Sequence, residues 1–186
     1  MDAYSIALFL HIVGAVGFFV ALALEWTDLS QIRRALALEQ VRASMAVLKN
    51  VRKVGFVSML TAVITGIYMM VTVWRSEAWT VVTIASLLLV IVLAQVLTAP
   101  RMMPIGKALV TEKGPLPKTF HSLANNPLLW ISIQTRIAIA LGIVLLKTVK
   151  PGWVGSLLII GIAIVLGVAS ALPMSSRERA GEGPAD

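Results

Sequence analysis

The sequence predicts an all-α fold, a polytopic membrane helix bundle with five transmembrane helices and a cytoplasmic amphipathic segment after the first. Three observations carry that expectation. Five apolar stretches, at residues 4–24, 54–74, 80–99, 128–146 and 153–172, each approach the ~20 residues a helix needs to cross a ~30 Å hydrocarbon core. Apolar residues make up 58% of the chain and charged residues only 13%, outside the range of soluble domains. The longest polar segments, 25–53 and 100–127, are too short to bury cores of their own, so residues 1–174 read as a single membrane domain.

The first stretch lacks a basic leading segment and ends in Leu24-Glu25-Trp26 rather than a small-residue cleavage site, so it reads as a retained helix. Residues 28–53 contain no Gly or Pro. They space Leu29, Ile32, Leu36, Val41, Met45 and Leu48 near a helical period against Arg33, Arg34, Arg42, Lys49 and Arg52. That pattern predicts an amphipathic helix continuing from the first span or lying on the membrane surface. Arg75-Ser76-Glu77-Ala78 is short enough to join the second and third spans as an antiparallel hairpin. Residues 100–127, with prolines at 100, 104, 115, 117 and 127, predict an irregular loop with a helical turn or two around 105–111. Pro151 and Gly152 stop the fourth span and set up a second hairpin. Tyr4, Trp74, Trp79, Trp130 and Trp153 fall near span ends, where amphipathic rings favour the headgroup layer. The tail, 175–186, is polar and is expected to be disordered.

The net charge of +7 does not point to nucleic acid, because the basic residues flank spans instead of sharing one soluble face. Across five spans, twelve Lys and Arg fall on the side of 25–53, 100–127 and the tail, and three on the other side. This bias puts the N-terminus outside and the C-terminus in the cytoplasm of a bacterial inner membrane. The absence of cysteine excludes disulfides, thiolate metal sites and cysteine nucleophiles.

Two ionisable residues inside the apolar stretches are the candidates for function. His11 lies roughly 10 Å inside the first span, where an unsatisfied ring nitrogen costs several kcal/mol. Gly14, Ala15 and Phe18 share its face and leave room for a flat group such as a porphyrin, or for a closely packed helix. Tyr68, Met69 and Met70 of the second span, with Thr83 and Ser86 of the third, reach a similar depth. A His–Met pair suits haem iron, and His with thioether sulfur suits copper(I). Arg136 lies near the middle of the fourth span beside Ser132 and Gln134. Its counter-charge is expected from Glu25, a lipid headgroup, or a bound anion such as a propionate or quinone oxygen, with Gln95 and Thr98 completing a polar patch. No carboxylate falls inside a stretch, which argues against a proton-coupled transporter. His121 falls on the opposite side from His11, so the two cannot clamp one haem within the chain.

The run Phe9-Leu10-His11-Ile12-Val13-Gly14-Ala15, the later Thr65-Gly66-Ile67-Tyr68, and Arg136 to Val144 leading to Lys150-Pro151 resemble an uncharacterised family of predicted bacterial integral membrane proteins. That family is distantly similar to copper-resistance D-type membrane proteins and to haem-binding, protoporphyrinogen-oxidase-like membrane proteins. In the latter a first-helix histidine in a similar Leu-His-Ile context ligates haem, which implies the same role for His11. The expected function is haem b binding through His11, with Arg136 contacting propionates or a quinone, in electron transport or haem-linked oxidation with a redox partner. Copper(I) handling by His11 with Met69 or Met70 is the alternative. A cofactor-free lipid-interacting or structural subunit, in which Gly14, Gly17, Gly155, Gly161 and Gly167 allow tight helix contacts, is the third reading, with a homo-oligomer or larger complex as its expected form.

Overall fold

A computed structural model describes residues 2–74, 77–111, 116 and 120–176. The expectations for Arg75 and Ser76, for most of 112–119 and for the tail from residue 177 lie outside the described residues. Most of the described residues are helical, with no strand among them. Five helical stretches are long and apolar enough to cross a membrane: Ala3–Arg34, Leu38–Val73, Ala78–Lys107, Phe120–Val149 and Trp153–Leu172.

Helices α1 (Ala3–Arg34) and α2 (Leu38–Met69) have 32 residues each and pack as one long antiparallel hairpin. Asp2 caps α1, accepting a hydrogen bond from the Ser5 N–H at 2.9 Å. The predicted continuous amphipathic segment over 28–53 is instead broken at 35–37, without Gly or Pro. Ala35 and Ala37 are extended, and the Leu36 N–H, which the turn withdraws from the helix, donates to Gln40 Oε1 at 2.9 Å. Reversing the chain there lets Leu29 and Ile32 of α1 bury with Leu38, Val41 and Leu48 of α2. A single straight helix would have left that apolar face uncovered. Leu36 at the tip is 85% exposed.

α2 runs into a π-helical turn, Met70–Trp74, and α3 (Ala78–Leu93) returns alongside. The predicted loop after residue 100 is a second departure. From α3 the chain continues through a π-helical turn, Ala94–Thr98, into α4 (Ala99–Thr111) despite Pro100 and Pro104. Pro100 has no N–H to give to the carbonyl four residues back. Arg101 supplies the missing donor, its Nη1 lying 3.1 Å from the Val96 oxygen and 2.9 Å from the Leu97 oxygen. Side-chain replacement of lost backbone donors is what lets a helix pass a proline.

After α5 (Phe120–Ala124), Asn126 caps α6 (Pro127–Val149) by accepting from the Leu128 N–H, with Pro127 at the first helical position. α6 closes on Lys150 in the left-handed region, φ 52°, just before Pro151, and α7 (Trp153–Ser176) pairs with it. Met102 and Ile105 of α4, Phe120 of α5 and Leu129, Trp130 and Ile133 of α6 complete the core at the Leu36 end of the hairpin. The two polar segments, too short to form cores separately, therefore share one. Trp79 and Trp130, near the starts of α3 and α6, are buried. Lys147 and Lys150 lie over the Trp79 ring at 5.7 Å each, and Arg33 over Trp130 at 5.4 Å.

Candidate functional site

His11 is seated by α2. Its Nδ1 lies 2.8 Å from the Ala62 carbonyl oxygen and 3.3 Å from the Thr65 hydroxyl oxygen. A carbonyl only accepts, so Nδ1 carries the proton and Nε2 keeps its lone pair. The Ala62 oxygen is open to a side chain because Thr65 donates principally to Thr61, at 2.7 Å. A Cβ at Gly66 would come within 3.1 Å of the imidazole Cε1, so the ring lies against bare backbone there. Thr65 and Gly66 thus acquire a role that spacing alone did not reveal.

The imidazole lines a cavity of about 250 Å³ between α1, α2, α3 and α6. Its wall is almost wholly apolar, with Phe18, Phe56 and Met59 among its members, and Thr80, Thr83 and Lys147 the polar exceptions besides His11. Of the methionines expected near His11, Met70 lines this cavity, while Met69 is fully buried elsewhere. The Ser86 hydroxyl donates to the Val82 oxygen at 2.7 Å, and Tyr68 and Ser86 are not part of the lining. Gly14 does not open space for a flat group. A Cβ there would stand 2.7 Å from the Ser58 oxygen and 2.9 Å from the Ala62 nitrogen, so α2 backbone fills that side.

Arg136 sits elsewhere. It is 4% exposed and forms a two-pronged ion pair, Nη1 to Glu25 Oε2 and Nη2 to Glu25 Oε1, both 2.9 Å. Of the counter-charges open to it in the sequence, Glu25 is the one in contact. From His11 to Glu25 the helix rises about 21 Å at ~1.5 Å per residue. His11 and Arg136 therefore do not face one small ligand. Arg52 stands 3.9 Å from Glu25, and the three charges line a second cavity of about 240 Å³ with Gln95 and Thr98. Thr98 bonds the Ser132 hydroxyl at 2.9 Å. Phe18, Phe56, Met59 and Ile91 wall both cavities.

The helical reading of α1 beyond residue 24 changes one premise. Glu25 and Asp28 are both buried carboxylates on that helix, so the absence of carboxylates in the five apolar stretches no longer separates this chain from proton-handling proteins. Their spacing on the face of Leu22, Leu29 and Ile32 was the available signal. His121 lies on α5 with its ring against Phe120. Among the described residues, no three His, Cys, Asp or Glu groups converge as a metal site. No family model, curated protein or solved structure matches the chain.

Proposed function

We propose that the chain is a multi-pass protein of the bacterial inner membrane that binds haem b through His11 and serves electron transfer. The carrying observation is the state of the imidazole. Nδ1–H is held by the Ala62 carbonyl, so Nε2 keeps its lone pair, and the imidazole lines an apolar cavity. Metal-ligating histidines are oriented by this kind of hydrogen bond from the other ring nitrogen. Lys147 lines the same cavity and supplies the cation that a propionate needs, the part earlier expected of Arg136. The volume is below the ~300–1,000 Å³ of sites that enclose a ligand. A porphyrin would therefore extend past the enclosed space toward Phe56, Leu60 and Leu88, which are exposed along the helix surface. Bound iron would supply one-electron chemistry. The chain's residues would hold the group and set the tautomer of its ligand. The resemblance of Leu10-His11-Ile12 to the haem-binding membrane proteins points the same way.

Purified from haem-supplied cells, the protein is expected to show a Soret band that His11→Ala abolishes, with Lys147→Met weakening haem retention. A colourless wild-type preparation overturns the proposal. One feature favours copper(I) as a second reading: Met70 and Met59 line the cavity beside His11. Copper retained under reducing conditions without a Soret band selects it. Lys147 weighs against it, since a cation beside a metal-only site is unfavourable.

For orientation, the twelve-to-three distribution of basic residues assigns the Leu36 hairpin tip to the cytoplasm and Gly152 to the outside. At ~1.5 Å per residue α1 and α2 are each about 48 Å long, so the hairpin projects about 18 Å beyond a ~30 Å hydrocarbon core. The chain has no cysteine, so single-cysteine probes are unambiguous. A membrane-impermeant maleimide is expected to label Gly152→Cys on intact cells, where a Cβ meets nothing within 4 Å, and to spare Leu36→Cys until the membrane is opened. The opposite labelling pattern reverses the orientation.

A further inference from the structure

We infer that the cavity between Glu25, Arg52 and Arg136 is a binding site for an anionic phospholipid, with the phosphate at the two guanidinium groups and the first tail methylenes along Phe56, Met59 and Ile91. The inference rests on the membrane reading and is independent of haem.

Charge is the first argument. Two guanidinium groups and one carboxylate line this cavity, leaving an excess of one positive charge. Asp28, one helical turn further along α1, is not part of the lining. Glu25 occupies both terminal nitrogens of Arg136, and its remaining approach, to Arg52, is a loose 3.9 Å. Arg52 is therefore only partly neutralised, and its side chain is 40% exposed, within reach of an incoming group.

The second argument is an unmet hydrogen-bond requirement. Arg136, 4% exposed, keeps its Nε buried with no partner. Buried polar atoms in folded proteins are almost always paired, and an exception calls for a ligand or an ordered solvent molecule. Guanidinium is the side chain best matched to phosphate, and both Arg136 and Arg52 line the cavity.

Shape is the third. The polar lining is confined to one end, where the π-helical turn Ala94–Thr98 brings Ala94, Gln95 and Thr98 to the wall. π-helical turns inside α-helices are frequent at functional sites. The rest of the wall is apolar, and Phe56 at its edge is exposed. A charged head with a hydrocarbon tail fits that division. A wholly water-soluble anion leaves the apolar part unfilled.

The test is a lipid titration of the detergent-purified protein followed by native mass spectrometry, with phosphatidylglycerol, phosphatidylcholine and inorganic phosphate as probes. Phosphatidylglycerol is expected to bind more tightly than phosphatidylcholine. Arg52→Gln is expected to weaken it roughly tenfold, the loss of about one charge-assisted contact, and Lys49→Gln, on the exposed face of α2 away from the cavity, to leave it unchanged. Arg52 is chosen over Arg136 because its removal does not strand a buried charge. Equal affinity for the two lipids, or an Arg52→Gln variant that binds like wild type, overturns the inference. So does inorganic phosphate that competes at equal concentration, which would make the site one for a free anion. His11→Ala should leave the titration unaltered, so failure of the haem proposal and failure of this one are separable.

Discussion

Glu25→Ala is expected to lower stability in mild detergent by about 3–5 kcal/mol, because it leaves the buried Arg136 guanidinium without its counter-ion. Both prongs of the pair are short and both partners are buried, so the guanidinium loses two charge-assisted hydrogen bonds at once. The opposite truncation should cost less. In Arg136→Met, Glu25 still has Arg52 nearby at 3.9 Å, and a thioether fills the vacated space. The double variant Glu25→Leu/Arg136→Met, with no buried charge, should recover most of the loss, since apolar replacements of buried pairs are often neutral or better. Unfolding of the three variants in a denaturing-detergent titration checks the order. A Glu25→Ala variant within about 1 kcal/mol of wild type would mean that the pair is solvated and carries little of the fold.

Gly14→Ala should destabilise by about 1–3 kcal/mol, the range for forcing an extra methyl into a packed interface. The added Cβ meets the Ser58 oxygen and the Ala62 nitrogen, both backbone atoms, so the helices themselves have to separate. Because Ala62 also holds His11, the shift should disturb the imidazole as well. Gly161→Ala is the internal control: nothing lies within 4 Å of its Cβ position. There the substitution should be neutral or stabilising by up to about 1 kcal/mol through helix propensity. The glycines of the first and last helices, grouped by composition, thus divide by what faces them. Gly167, like Gly14, abuts backbone, with Thr135 Cα 2.5 Å from its Cβ position. Equal stability of Gly14→Ala and Gly161→Ala would remove the packing argument.

Residues whose burial is costly were the ones legible in the sequence. His11 and Arg136 stood out because a polar group in an apolar stretch needs a partner, and Glu25 was among the partners named for Arg136. The five long apolar helices followed from length and composition for the same reason. What the sequence hid was decided by backbone atoms. No residue type announces that the Ala62 carbonyl receives His11, since every residue carries a carbonyl. The helix passing Pro100 depends on Arg101 reaching back to the freed Val96 carbonyl and its neighbour at Leu97, so the local rule that proline ends a helix lost to a side-chain donor. The reversal at 35–37 carries neither Gly nor Pro, and the burial of Leu29, Ile32, Leu38 and Val41 against one another selects it. Met69 and Met70 were inseparable by depth arithmetic, because adjacent helical residues differ by ~100° in direction and only the packed structure says which one faces the cavity.

The sequence separation of 111 between Glu25 and Arg136 sets a schedule for synthesis. At ~5–20 residues per second, Arg136 leaves the ribosome about 6 to 22 s after Glu25. The α1–α2 hairpin, with Glu25 in it, is synthesised well before then. Arg52 follows Glu25 within about 1 to 5 s at the same pace. Glu25 therefore has a cation within its own hairpin, Arg52 at 3.9 Å, before its closer partner has been made.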